Sequence, residues 1–145
     1  MESLEKILRQ AETIAVVGLS NNTARPAYEV AEYLQRSGYR IIPINPNETA
    51  VLGETAYPDL LSVPQRIDIV DIFRQPEAVP EITRQAIARN VKVVWMQPGA
   101  ENYDAADQAQ AAGLSVIVGM CLRVQHERAQ SGPLAHLTSA NNTQN

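Results

Sequence analysis

The residues best suited to chemistry in this chain stand where an apolar run meets a glycine. Thr13-Ile14-Ala15-Val16-Val17 leads into Gly18-Leu19-Ser20, and Arg25-Pro26 precede a helical pattern that starts at Ala27. A strand that ends in glycine and hands over to a helix is the way a parallel α/β sheet offers backbone N–H groups to a phosphate. Gly18 leaves room for close approach, Ser20 offers a hydroxyl and an N–H, and Arg25 carries a planar fork that matches phosphate. Pro26 pre-sets the first helical turn. The second glycine of the dinucleotide fingerprint is absent, because Ser20 holds that position. The same stretch also reads as a plain strand-to-helix turn with a solvated Arg25.

Three further strand ends carry candidates. After the second apolar run stand Asn45 and Pro46, with no acid among Pro43-Ile44-Asn45-Pro46. A nicotinamide-dinucleotide site uses an acid there to bind the ribose hydroxyl. Asn45 instead tolerates a phosphate on that ribose, as coenzyme A or NADP has, or is simply a turn residue. Phe73-Arg74 ends the third run: Phe73 suits an adenine or pantetheine groove and Arg74 a phosphate, the alternatives being a core ring and a surface cation. Gln97 and Gly99 end the fourth, in Trp95-Met96-Gln97-Pro98-Gly99, as ligand contacts or as a turn.

Cys121, His126 and His136 make a poor catalytic or metal set. Cys121 and His126 are five residues apart and do not share a helical face, and three scattered ligands do not make a zinc site. Cys121 reads as a small buried residue, though a thiol beside a thiol cofactor can form a mixed disulfide. There is no Gly-x-Ser-x-Gly elbow, Gly-Lys-Thr phosphate loop or His-Glu-x-x-His pair. No residue stands out as a nucleophile or general base, so binding without catalysis is the expectation.

The elements that must position these residues follow from periodicity. Leu4, Ile7, Leu8 and Ala11 share a helical face over 3–11. Residues 13–18 form an apolar strand. A helix with Ala27, Val30, Ala31 and Leu34 on its inner face stops at Ser37-Gly38. A second strand runs from Tyr39 towards Ile44, halted by Pro43 and Pro46. Strands over 67–73, 91–96 and 114–118 alternate with helices over 77–89 and 103–112, and a basic, helical piece extends to Ala129. Alternating strands and helices, with strands rich in β-branched residues, predict a doubly wound, mainly parallel five-stranded α/β sheet with helices on both faces. Ligands of such a sheet bind at the carboxyl ends of the strands, where these candidates lie.

Bulk properties narrow the classes. The chain has 145 residues, 45% hydrophobic and 19% charged, which suits a single globular domain over 1–137 with a frayed polar tail over 138–145. A net charge of −4 argues against nucleic acid or a membrane surface as partner. A single cysteine and a polar N-terminus point to the cytoplasm.

Taken in order, these strand ends resemble the CoA-binding protein family, small single-domain relatives of the nucleotide-binding part of the succinyl-CoA synthetase α subunit. The matching pieces are Ala15-Val16-Val17-Gly18-Leu19-Ser20, Arg25-Pro26, Gly38-Tyr39-Arg40-Ile41-Ile42-Pro43-Ile44-Asn45-Pro46, Leu52-Gly53-Glu54 and Asp71-Ile72-Phe73-Arg74. Trp95-Met96-Gln97-Pro98-Gly99 and Cys121-Leu122-Arg123-Val124-Gln125-His126 complete the set. The resemblance implies a Rossmann-like fold and coenzyme A, or an acyl-CoA, as ligand. It places Gly18, Leu19, Ser20, Arg25 and Pro26 at the diphosphate, Asn45 and Pro46 near the adenosine, Phe73 and Arg74 beside them, and Gln97 and Gly99 further along. Gly119 and Met120 depart from the aspartate and basic residue common in the family before the cysteine, and Pro98 stands where a non-proline is usual. The competing readings are an NAD(P)-binding, oxidoreductase-like domain and a non-enzymatic regulatory or interaction protein. For the last, the helix at 3–11 and the basic stretch Arg123 to Arg128 are the candidate homodimer contact.

Overall fold

The computed structural model describes residues 3–131; the expected tail over 138–145 and His136 lie outside them. The chain runs α1 (Leu4–Gln10), β1 (Thr13–Val17), α2 (Pro26–Arg36), β2 (Arg40–Ile44), a two-stranded hairpin of β3 (Ala50–Val51) and β4 (Glu54–Thr55), β5 (Ile69–Ile72), α3 (Val79–Ala88), β6 (Val93–Met96), α4 (Tyr103–Ala111), β7 (Ser115–Val118) and α5 (Leu122–Ser131). Five strands form one parallel sheet in the order β2-β1-β5-β6-β7. This is the expected doubly wound, Rossmann-like α/β fold. The strand order reverses between β1 and β5, and a ligand crevice belongs at that switch.

Strand alternation divides the core into two layers. Ala15, Val17, Ile42, Ile44, Val70, Ile72, Val94, Met96 and Val116 face α3 and α4, which contribute Val79, Ala86, Ala105, Ala106 and Ala109. Ile14, Val16, Ile41, Ile69, Val93, Trp95 and Ile117 face α1, α2 and α5, which contribute Ile7, Leu8, Ala27, Val30, Ala31, Leu34 and Leu122. Each strand is covered on both sides, so its sequence reads as an unbroken apolar run.

One local expectation is corrected. Pro43 does not halt β2; it sits within the strand, in register with Val16. β2 is an edge strand, so a residue without an N–H costs no ladder bond on its free side. The segment after β2 is also structured. Leu52 and Gly53 take φ of 54° and 77° to turn the β3–β4 hairpin, and Tyr57 returns to β2, its N–H donating to the Pro43 carbonyl at 3.0 Å. No helix among the described residues is long and apolar enough to cross a membrane.

Candidate functional site

The carboxyl ends of β2, β1, β5 and β6 open on one cavity of about 800 Å³, within the size range of small-molecule sites. Gly18, Ser20, Arg25, Pro26, Asn45, Pro46, Phe73, Arg74, Gln97 and Gly99 all line it. Leu19 is the exception among the sequence candidates. Its side chain is fully buried in the layer under α2, and only its carbonyl takes part, accepting from the Asn45 amide at 3.2 Å.

Gly18 is explained by its neighbours in the sheet. Its N–H continues the ladder to the Ile44 carbonyl at 2.9 Å, its φ is +96°, and a Cβ there would lie 2.4 Å from the Phe73 carbonyl oxygen. The glycine is therefore required where two strand ends close on each other, whatever occupies the cavity. Downstream, the loop is shaped by its own polar groups. Asn22 N–H donates to Ser20 Oγ at 3.2 Å, and Ala24 N–H to Asn22 Oδ1 at 3.0 Å. Helix α2 then begins with Arg25 at the N-cap and Pro26 at its first position, and no side chain caps it. The positive end of the helix is thus left facing the cavity rim.

Two guanidinium groups complete that end of the site. Arg25 and Arg74 are exposed, and neither makes an ion pair or a side-chain hydrogen bond among the described residues. Asn45, by contrast, is engaged by the fold: its Oδ1 accepts from Asn47 N–H at 2.9 Å while its amide holds Leu19. Gly99 is engaged as well, its N–H donating to Glu101 Oε1 at 2.8 Å. Phe73 is half-buried, packed against the α2 layer and lining the cavity.

Sequence reasoning missed a clasp across the rim. Glu48, in the loop after β2, accepts Asn21 N–H at 2.8 Å and Asn21 Nδ2 at 2.9 Å, and Asn21 Nδ2 also reaches the Ala50 carbonyl at 2.8 Å. The carboxylate in that loop is therefore held by asparagine. The signal for it lies in the hairpin register, which no local pattern around Asn21 reveals.

The far side of the cavity is built by Gln97, Ala100 and Cys121. Gln97 is 4% exposed, and its Oε1 accepts Leu122 N–H at 2.9 Å, capping α5 from the neighbouring strand end. The Trp95 indole N–H donates to the Met120 carbonyl at 2.7 Å, which fixes the turn that carries Cys121. His126 is not turned towards Cys121. Its Nδ1 lies 2.6 Å from the Tyr33 hydroxyl, with its ring edge-on to Tyr33 and Tyr39. Burial lowers its pKa, opposed by Glu127.

A family model described as the CoA binding domain matches residues 12–127. YneT of Bacillus subtilis is 35% identical over 123 residues, spanning 85% of this chain and 91% of that protein. Over 83 residues the chain is 28% identical to an ADP-forming acetate–CoA ligase of Archaeoglobus fulgidus, covering 56% of this chain but 12% of the ligase. A solved Pyrococcus horikoshii protein superposes with a TM-score of 0.84 at 35% identity, over 89% of this chain and 96% of that one.

Proposed function

This chain belongs to the CoA-binding domain family, and on that premise we propose that it binds coenzyme A or an acyl-CoA, with the diphosphate at the loop after β1. One observation carries the reading. At the switch point of the sheet, two guanidiniums without carboxylate partners flank the uncapped N-terminus of α2 on the wall of one cavity. Both are exposed and line the same cavity, where an anion is favoured by the helix dipole and by bidentate N–H donors. Arg25, the backbone N–H groups of the α2 start and Arg74 would hold the phosphates. Phe73 and the Asn45–Pro46 end of β2 would take the nucleoside. The role of the group when bound is to present an acyl-bearing or free thiol; the chain's own part is to bind and orient it.

Titration calorimetry with coenzyme A, dephospho-CoA and NADP tests this. Saturable heat with coenzyme A is expected. Arg25→Ala or Arg74→Ala should each weaken it by about tenfold or more, as loss of a charge-assisted hydrogen bond of about 1.5–3 kcal/mol requires. Because both side chains are exposed and unpaired, the unfolding midpoint of the free protein should not move. No heat with coenzyme A up to about a millimolar, a binding free energy of only about −4 kcal/mol, would sink the proposal.

A further inference from the structure

We propose that Cys121 captures the thiol end of the ligand as a mixed disulfide, an inference that rests on the coenzyme A reading of the cavity. The position of Cys121 along the sheet is the first support. The cations and the open helix end lie at the β1 and β5 ends, and Asn45 at the β2 end, while Cys121 lines the same cavity just beyond β7. The residues on either side of it, Met120 and Leu122, are bonded to Trp95 and Gln97 at the β6 end, so Cys121 stands about two strand spacings, or about 10 Å, from the β1 end. A ligand with charge at one end and sulfur at the other, joined by a long arm, matches that layout.

Gln97 is the second, independent support. It is 4% exposed, lines the cavity next to Cys121 and gives its Oε1 to Leu122. Its Nε2 finds no acceptor among the described residues, yet it is not among the side-chain atoms sealed off without a partner, as those of Asp71 and Thr83 are. An unpartnered amide donor so deeply placed, on a residue that lines the cavity, suits a carbonyl acceptor from the ligand. The amides of a pantetheine-type arm supply one, immediately before the thiol.

The chemistry follows from what surrounds Cys121. The thiol is half-exposed, and the His126 imidazole is engaged by Tyr33. The step is thiol–disulfide exchange with a disulfide of the ligand, such as CoA disulfide. Cys121 loses its proton to solvent, and its sulfur attacks one sulfur of the incoming disulfide. A new S–S bond forms as the old one breaks, and the departing thiolate takes up a proton. The oxidising equivalent enters with the disulfide, so no further oxidant is needed.

The test follows the intact mass of the full chain during incubation with CoA disulfide or glutathione disulfide, alongside calorimetry with reduced coenzyme A. Cys121 is the sole cysteine, so any adduct removed by dithiothreitol lies on it; Cys121→Ser should form none. The CoA adduct should appear at least about tenfold faster than the glutathione adduct, the gain expected when binding raises effective concentration. Arg25→Ala should erase that preference. If reduced coenzyme A binds but the two disulfides react alike, or not at all, the capture is overturned while the binding reading stands. If reduced coenzyme A gives no heat, the binding reading falls and takes the capture with it.

Discussion

Asp71 lies on β5 between Val16 of β1 and Trp95 of β6, fully buried, with neither carboxylate oxygen hydrogen-bonded among the described residues. Burial pushes its carboxyl well above the usual carboxylate range. The folded chain therefore keeps a proton that the unfolded chain releases above about pH 3.9. The stabilisation from this group is complete below that pH and is lost as pH rises through the folded-state value, at up to about 1.4 kcal/mol per unit. Asp71→Val, which removes the orphaned polar group at similar volume, should raise stability at pH 7 by about 1–3 kcal/mol. Urea unfolding at pH 4 and pH 7 checks it: the advantage must grow with pH, and parallel profiles would refute the assignment. The strand over 67–73 that carries Asp71 was legible from sequence alone. The isolation of Asp71 was not legible, because it is created by Val16 and Trp95 from other strands. Gly18 was legible as a special position, but its cause is the Phe73 carbonyl 55 residues later.

Helix α5 is the element whose docking depends on a titrating contact. His126 packs edge-on against Tyr33 of α2 and against Tyr39, while Arg123 stacks over Tyr33 at 4.9 Å and pairs with Glu29 and Glu127. Burial holds the imidazole below its ordinary value despite Glu127. A depressed pKa of a base means that the stability is present above the unfolded value near pH 6.5 and is lost as pH falls through the folded one. Thermal unfolding should show the midpoint dropping between pH 7 and pH 5, and His126→Gln should flatten that drop; an unchanged slope in the variant would discard the contact as its source. The amphipathic elements themselves were readable: α2 ends at Ser37-Gly38 as expected, and every strand of the main sheet lies inside its apolar run. The β3–β4 hairpin was not, since strands of two residues have no periodicity and Leu52 is an unusual occupant of a positive φ. Pro43 misled because its tolerance depends on β2 being at the edge, which is a fact about the whole sheet.

The cavity exists only when strands far apart in sequence, ending at Gly18, Asn45, Phe73 and Gln97, stand side by side. A ligand seated there binds the folded chain and not the unfolded one. At a coenzyme A concentration of about 100 times Kd, the folded state should gain about 2.7 kcal/mol. For a chain of this length that is a rise in melting temperature of roughly 5–10 °C. Differential scanning fluorimetry checks it, and the double variant Arg25→Ala, Arg74→Ala should lose most of the rise. A full rise in that variant would mean the ligand is held elsewhere.

Trp95, the sole tryptophan, is fully buried with its indole N–H tied to the Met120 carbonyl, one residue before Cys121. The protein therefore carries a built-in optical reporter behind the wall of its own cavity. Its emission comes from one environment, screened from water, and is coupled through a single hydrogen bond to the turn that presents the thiol. Occupation of the near end of the cavity and a covalent event at the far end are thereby separable by light in the unlabelled chain: only the second pulls directly on the partner of the indole.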